Sequence, residues 1–307
     1  MRVLITGATG FVAPYIAREL AEKGFDVYLT APDQCQLVLG GKTVEAYQCD
    51  LTDLSRTTAM VEDIKPEIIV HQASLSHVGQ AWENRVELVK VNVNGTSHIC
   101  QAAARSGRPV TFLYGSSALV YGSSEQRLDE ACLPHPVTPF GASKLAAEYV
   151  VESFHSDTFQ PYIVRPFNVV GPDQSRAFVC PAFAHRILQT STGGRIEVGN
   201  LEAKRDFADV RDLARAYRLV LEKRPPERLF VLGSGEPVVI RDILERLSEL
   251  SGKEIQPSVN PDLLRPTDPQ HLIANPELAA KALGWKPEIS FDQSLQDVWS
   301  EVSKGFE

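Results

Sequence analysis

The chain has 307 residues, 43% of them hydrophobic and 23% charged, with a formal net charge of −8. That length holds roughly two domains and a large core. The acidic balance disfavours nucleic acid as a partner, and no apolar run approaches the ~20 residues of a membrane span. The five cysteines, Cys35, Cys49, Cys100, Cys132 and Cys180, are scattered and form no CxxC pair. They argue against a metal site or disulfide framework and for a reducing, cytoplasmic setting. The first strand is placed at Arg2, so no signal peptide is expected before it.

RVLITG (2–7) is a short apolar run ending at glycine and predicts a buried strand. A helix follows over 14–24 with Gly24 as its stop, then a strand over 25–30. Residues 44–50 predict a strand and 52–64 a helix capped by Thr52. Residues 67–73 form the next strand, 83–107 one long helix ending at Gly107, and 109–117 a strand opening into a loop. PFGASKLAAE (139–148) starts a further helix, with Thr138 as N-cap and Pro139 at the first helical position. A strand over 161–169 closes this series.

Strand and helix thus alternate to about residue 165, which predicts a parallel sheet covered on both faces. Residues 1–165 read as a dinucleotide-binding domain, with 207–235 returning to it; 166–206 and 236–307 read as a smaller, interleaved lobe.

GATGFVA (7–13) lies between the first strand and first helix. Gly7 and Gly10 allow a tight turn and bring a pyrophosphate close to a helix N-terminus, and Ala13 still permits close packing. The strand end LTAPDQ (29–34) offers neither the usual acid for a ribose nor an arginine for a 2′-phosphate, with Asp33 a few residues late. NAD and NADP are therefore both admitted. Lys144 lies four residues after Phe140, so the two share a helix face. An ammonium there would lower the pKa of a tyrosine partner, but a phenylalanine has no proton to give.

TGATGFVA, CDLTD (49–53), HQAS (71–74), NVNGT (92–96), YGSSALVYG (114–122), FGASK, RPFNVVGP (165–172) and RDFADVRD (205–212) follow one another in order. This set resembles the extended short-chain dehydrogenase/reductase family of nucleotide-sugar epimerases, dehydratases and reductases. The resemblance covers nearly the whole chain and implies an α/β fold, a Rossmann-type doubly wound parallel sheet with a smaller C-terminal substrate lobe. RPFNVVGPDQSRAFVCPAFAHRI (165–187), VGNLEAKRDF (198–207), LLRPTD (263–268) and LGWKPEISFDQSLQDV (283–298) are similar to the branch that handles GDP-sugars, among them reductases of 4-keto-6-deoxymannose.

The resemblance implies NAD or NADP held by Gly7, Thr9, Gly10, Phe11, Val12, Asp50, Leu51, Ala73, Ser74, Asn92 and Lys144. In that set Asp50 and Leu51 clamp the adenine. A GDP-linked 6-deoxyhexose would meet Asn168, Val179, Arg205 and Arg265, with both arginines on the pyrophosphate. Ser117 matches the family serine and Lys144 the family lysine, while Phe140 stands where the family has its proton-transferring tyrosine. Ala118, Leu119 and Val120 replace the acidic pair or Thr–Glu of the dehydratases and cannot perform acid–base elimination.

Three explanations of Phe140 remain open: a deliberate Tyr→Phe change, another proton donor, or a protein that binds nucleotide-sugar without turnover. Tyr121 is the first alternative donor, then Ser117 through water, with His135 behind them. An NAD-retaining C4 epimerase is the rival enzyme. Apolar stripes at Val86, Val89 and Val93 and at Leu145 and Tyr149 match the helices that pair the family's homodimers.

Overall fold

The computed structural model describes residues 1–76, 81–264 and 269–304. The strands β1 (Arg2–Thr6), β2 (Asp26–Ala31), β3 (Gln36–Leu39), β4 (Lys42–Gln48), β5 (Ile68–His71), β6 (Val110–Gly115), β7 (Phe159–Pro166) and β11 (Leu229–Leu232) form one sheet. Its order is β11-β7-β6-β5-β1-β2-β4-β3, parallel throughout except the β3–β4 hairpin. The central strands are buried on both faces and read as continuous apolar runs, because helices cover each side.

One face carries α1 (Val12–Glu22) against α7 (Val210–Lys223), with Ile16, Leu20, Leu213, Tyr217 and Val220 in its core. The other face is covered by α2 (Leu54–Ile64), α4 (Thr96–Arg105) and α5 (Pro139–Ser153), packed through Met60, Ile64, Ile99, Ala103, Ala147 and Val151.

The second lobe holds β8 (Asn168–Val170), α6 (Val179–Gln189), β9 (Arg195–Val198), β10 (Lys204–Asp209), β12 (Pro237–Val239), α8 (Ile240–Ser251), β13 (Gln256–Val259), β14 (His271–Leu272) and α10 (Phe291–Lys304). β10 lies between β12 and β14 and also pairs with β8, and β9 pairs with β13. Phe183, Ile187, Ile243, Leu247, Leu295 and Val298 fill its core. α9 (Glu277–Leu283) returns to the first lobe, where Ala279, Leu283 and Trp285 join the α1–α7 core.

Four expectations need revision. The helix predicted over 83–107 is three pieces: α3 (Arg85–Val89), a π-helical segment Lys90–Gly95, and α4. The extra residue in that turn accompanies the burial of Asn92, whose amide must find partners. The strand predicted over 161–169 is two strands in different sheets, parted at Phe167, whose N–H donates to Leu232 O at 2.8 Å. The cap of α2 is Asp53 and not Thr52; Asp53 is extended and accepts the Arg56 N–H, whereas the Thr52 N–H turns back to Asp50 Oδ1 at 2.9 Å. Within 207–235, residues up to Asp209 belong to β10 of the second lobe, and only β11 joins the main sheet.

Candidate active site

Strand order reverses between β1 and β5, and the crevice for a ligand opens at the carboxyl ends of those strands. Gly7 ends β1 there with φ +77°, and a Cβ on it would lie 2.8 Å from Ala73 N. Only glycine fits both the backbone conformation and that close approach. Gly10 N donates to Gly7 O at 2.8 Å, which closes the turn, with Thr9 exposed at its tip. α1 then starts at Phe11 and Val12, both half-buried, with no side-chain cap on its first N–H groups. Unclaimed helix N–H groups beside a glycine turn suit a pyrophosphate in charge and in shape. The Phe11 and Tyr15 rings meet edge to face at 5.9 Å, and Tyr15 Oη donates to Pro172 O at 3.0 Å, which ties this corner to the second lobe.

The opposite wall of the crevice rests on Thr6. Its Oγ1 accepts the Gln72 and Ala73 N–H groups at 3.1 and 3.0 Å, so its own proton goes to His71 Nδ1 at 2.7 Å. That fixes His71 as the Nε2–H tautomer, donating to Thr96 Oγ1 at 2.9 Å. Burial first, and then the nearby Lys144, bring the His71 pKa down to about 3, so the ring stays neutral. Ala73 and half-buried Ser74 thus lie on a backbone held from below.

Asn92 sits behind this loop. Its Oδ1 accepts the Leu75 N–H at 2.8 Å, and its Nδ2 donates to Leu75 O at 3.2 Å and to Ser143 Oγ at 3.0 Å. Asn92 therefore joins the loop to α5 from a buried position. Asp50 is exposed at the end of β4, and the Thr52 N–H holds its carboxyl below the usual range. Leu51, beside it, is buried.

The reactive wall is built by β6, the following turn and α5. Lys144 is 3% exposed on α5, and its Nζ donates to Gly115 O at 2.6 Å over the Tyr114 ring. Burial lowers its pKa to about 7 against the opposing pull of Glu148. The Phe140 ring lies 5.9 Å from Nζ and packs in a buried cluster with Ala81, Leu88 and Leu119. Ser117 is extended and caps the short 3-10 turn Ala118–Val120 by accepting the Leu119 N–H at 3.1 Å. That bond does not use the Ser117 proton, which stays available to a ligand oxygen. A Cβ at Gly141 would lie 2.0 Å from Leu119 O, so glycine is what lets α5 press onto this turn.

Tyr121 is buried. Its hydroxyl receives Arg165 Nη1 at 2.7 Å and donates to Asp129 O at 2.8 Å. Burial raises its pKa to about 12, with Arg165 opposing. A hydroxyl so engaged acts as a strut, whereas a proton donor to a sugar must face the crevice. His135 is exposed in the loop before α5.

On the second lobe, Asn168 Nδ2 donates to Asp206 O at 2.9 Å. Val179 begins α6, which also lacks a side-chain cap. Arg205 is buried on β10, with Nη1 donating to Lys204 O and Gln270 O at 3.1 and 3.2 Å. Arg265 lies outside the described residues.

The sequence reading gave no role to Glu148 or Arg165, which form a buried fork behind Lys144 and Tyr121. The spacing Lys144–Glu148 was the available signal, since residues four apart share a helix face.

A GDP-6-deoxy-D-mannose reductase of Pseudomonas aeruginosa is 28% identical over 98% of this chain and 96% of its own. The structure of RMD from Pseudomonas aeruginosa complexed with NADPH superposes with a TM-score of 0.84 at 27% identity, covering 99% of each chain. The UDP-glucose 4-epimerase of Thermus thermophilus, in complex with NAD, superposes with a TM-score of 0.85 at 26% identity, again over 99% of each chain. Residues 4–298 match the family described as GDP-mannose 4,6 dehydratase. The chain therefore belongs to that family, within the extended short-chain dehydrogenase/reductases that act on nucleotide-sugars.

Proposed function

We propose that the protein reduces the C4 ketone of a GDP-linked 4-keto-6-deoxyhexose with NADH or NADPH, without the tyrosine hydroxyl its relatives use. The observation that carries this reading is the turn after Ser117. It keeps the serine, packs against α5 at Gly141, and carries Ala118, Leu119 and Val120 where a dehydratase needs acids. Similarity over nearly full length to a GDP-6-deoxy-D-mannose reductase supports the substrate class.

The nicotinamide, when bound, supplies hydride to the sugar carbon. Gly7, Gly10, Phe11 and Val12 would hold the dinucleotide's pyrophosphate, with Asp50 and Leu51 at its adenine. Lys144 would orient the nicotinamide ribose, and Ser117 would hydrogen-bond the ketone oxygen and relay to it, from water, the proton that the alkoxide takes up. Asn168, Val179, Arg205 and Arg265 would receive the nucleotide-sugar. Tyr121, with its hydroxyl bound on both sides, serves the site as a strut. The exposed apolar residues Val86 (85%), Val89 (49%) and Tyr149 (67%) support a homodimer formed through α3 and α5.

Phe140→Tyr assayed with GDP-4-keto-6-deoxymannose and each nicotinamide tests the reading. Restoring a general acid should raise kcat by about 10²-fold or more. No reduction of the ketosugar by either form with either cofactor, in a folded protein, overturns it. Likeness to an epimerase that carries NAD favours one alternative, a C4 epimerase. Cofactor that survives purification, with sugar interconversion and no net NADH oxidation, would establish that alternative. Calorimetric binding of a GDP-sugar with no turnover in either form would mark a binding protein.

A further inference from the structure

We infer that Glu148 is a positioning residue for both halves of the reactive wall, fixing Lys144 from its own helix and Ser117 through Ser116 and Arg165. The inference rests on the reading of Lys144 and Ser117 given above. Glu148 is 4% exposed and one helical turn beyond Lys144 on the buried face of α5. Its Oε1 accepts Arg165 Nε at 3.0 Å and the Ser116 hydroxyl, and its Oε2 accepts Arg165 Nη2 at 2.6 Å. Arg165 passes the restraint to Tyr121, at the end of the Ser117 turn, and Tyr121 passes it to Asp129. One carboxylate therefore ties α5 to the end of β6, to β7 and to both ends of the turn.

The register explains the effect on Ser117. Extended backbone sends consecutive side chains to opposite sides. Ser116 points inward to Glu148, with its N–H on Val164 O at 2.8 Å. Ser117, extended at φ −161°, must then face the other way. If Ser116 is released, the direction of Ser117 rests on its cap bond to the Leu119 N–H alone.

The effect on Lys144 is electrostatic as well as steric. The groups around its ammonium are Gly115 O and the Tyr114 ring of β6, Phe140 and Glu148 on the same helix, and neutral His71 of β5. Glu148 is the one anion among them, and it opposes the loss of the Lys144 proton that burial favours. A buried ion pair seldom adds net stability over apolar replacements of similar volume. The pair at Glu148–Arg165 is thus better explained by what it orients than by how strongly it holds the fold.

The test compares wild type with Glu148→Gln and with the double variant Glu148→Leu/Arg165→Met, which removes both partners of the ion pair together. Two readouts are taken: the pH profile of ketone reduction, and the pH dependence of NADH affinity by nicotinamide fluorescence. Glu148→Gln should lower kcat by about 10²-fold, as misplacement of reacting groups does, with a smaller change in KM. Its high-pH limb, and the pH at which NADH affinity weakens, should both move to lower pH. The double variant should keep the wild-type thermal midpoint yet show the same shifts.

If both pH profiles stay in place, or the double variant regains wild-type kcat, Glu148 is only a structural residue and the inference is overturned. Should neither wild type nor Phe140→Tyr reduce the ketosugar, the proposed function fails, while the NADH profile still decides the role of Glu148.

Discussion

Two buried carboxylates hold the two lobes, and they are satisfied in opposite ways. Asp206, on β10 of the second lobe, accepts the N–H of Ser234 at 2.6 Å, of Gly235 at 2.8 Å and of Ala274 at 3.0 Å, and the Ser234 hydroxyl at 2.8 Å. These donors are neutral, and most are backbone. Burial raises its pKa, with the bonds from Ser234, Ala274 and Gly235 opposing. Glu148, on the reactive wall, is held by the guanidinium of Arg165 and lies a turn from the ammonium of Lys144. Burial alone would lower the Arg165 pKa, but its bonds to Glu148 and Glu148's charge raise it. Fixed dipoles staple backbone to backbone, whereas charged partners also set one another's protonation. The first device suits a lobe junction, and the second suits a reaction that moves a proton.

The largest expected effect comes from breaking the staple. Asp206→Ala would leave three buried N–H groups without their acceptor. At the usual cost of an unsatisfied buried donor, stability should fall by at least about 3 kcal/mol. Asp206→Asn keeps one acceptor oxygen but turns an amide toward the N–H donors, so it should lose less. Urea unfolding of the two variants beside wild type reads this directly. A loss under about 1 kcal/mol in Asp206→Ala would mean that water replaces the carboxylate, and the contrast with Glu148 would fail.

The sequence discloses these two regions unequally. The glycine turn was legible because Gly7, Gly10 and the uncapped helix act within a dozen consecutive residues. The sheet was legible because strand and helix alternate. Lys144 and Ser117 were found through motif resemblance, and Gly141 sat unread inside the same motif although its contact with Leu119 O shapes the turn. The Gly40–Gly41 pair between two apolar runs is a hairpin signal, and β3 pairs with β4 across it. Asp206 and Arg165 were not legible as a staple and a fork. Their partners lie 28 to 68 and 17 to 44 residues away, and no local period records such a distance. The π-helical break at Asn92 is of the same kind, since its cause is a loop 17 residues earlier and a serine 51 residues later.

A second prediction separates charge from packing on the reactive wall. Lys144 has a folded pKa of about 7 against 10.5 in the unfolded chain. Between those values the unfolded chain binds a proton that the fold does not, so stability rises with pH across the window. Below pH 7 the full cost of the buried ammonium is present. Lys144→Met should therefore stabilise the protein by on the order of 5 kcal/mol below pH 7, and the gain should shrink by about 1.4 kcal/mol per pH unit above it. The same variant should lose dinucleotide affinity. Chemical denaturation at about pH 6 and about pH 9 measures the difference. Equal gains at both would show that Lys144 is not held against its charge, and the wall would then resemble the Asp206 staple.

The smallest effect gives the sharpest comparison. Ser234→Ala and Ser116→Ala each remove one hydroxyl donor from a buried carboxylate and leave the other bonds standing. Each should cost about 1 kcal/mol of stability, the net worth of an ordinary hydrogen bond. Their consequences for function should part company. Ser234 serves a junction, so its loss should leave kcat within about twofold, the size of ordinary scatter for a change far from the reacting atoms. Ser116 sets the direction of Ser117, so its loss should lower kcat by about tenfold or more with KM little changed, as expected when a reacting group is misaimed rather than removed. Steady-state kinetics in the Phe140→Tyr background supply the signal. Equal kinetic losses in the two variants would show that the reactive wall gains nothing from Glu148 beyond the stability that Asp206 gives its own lobe.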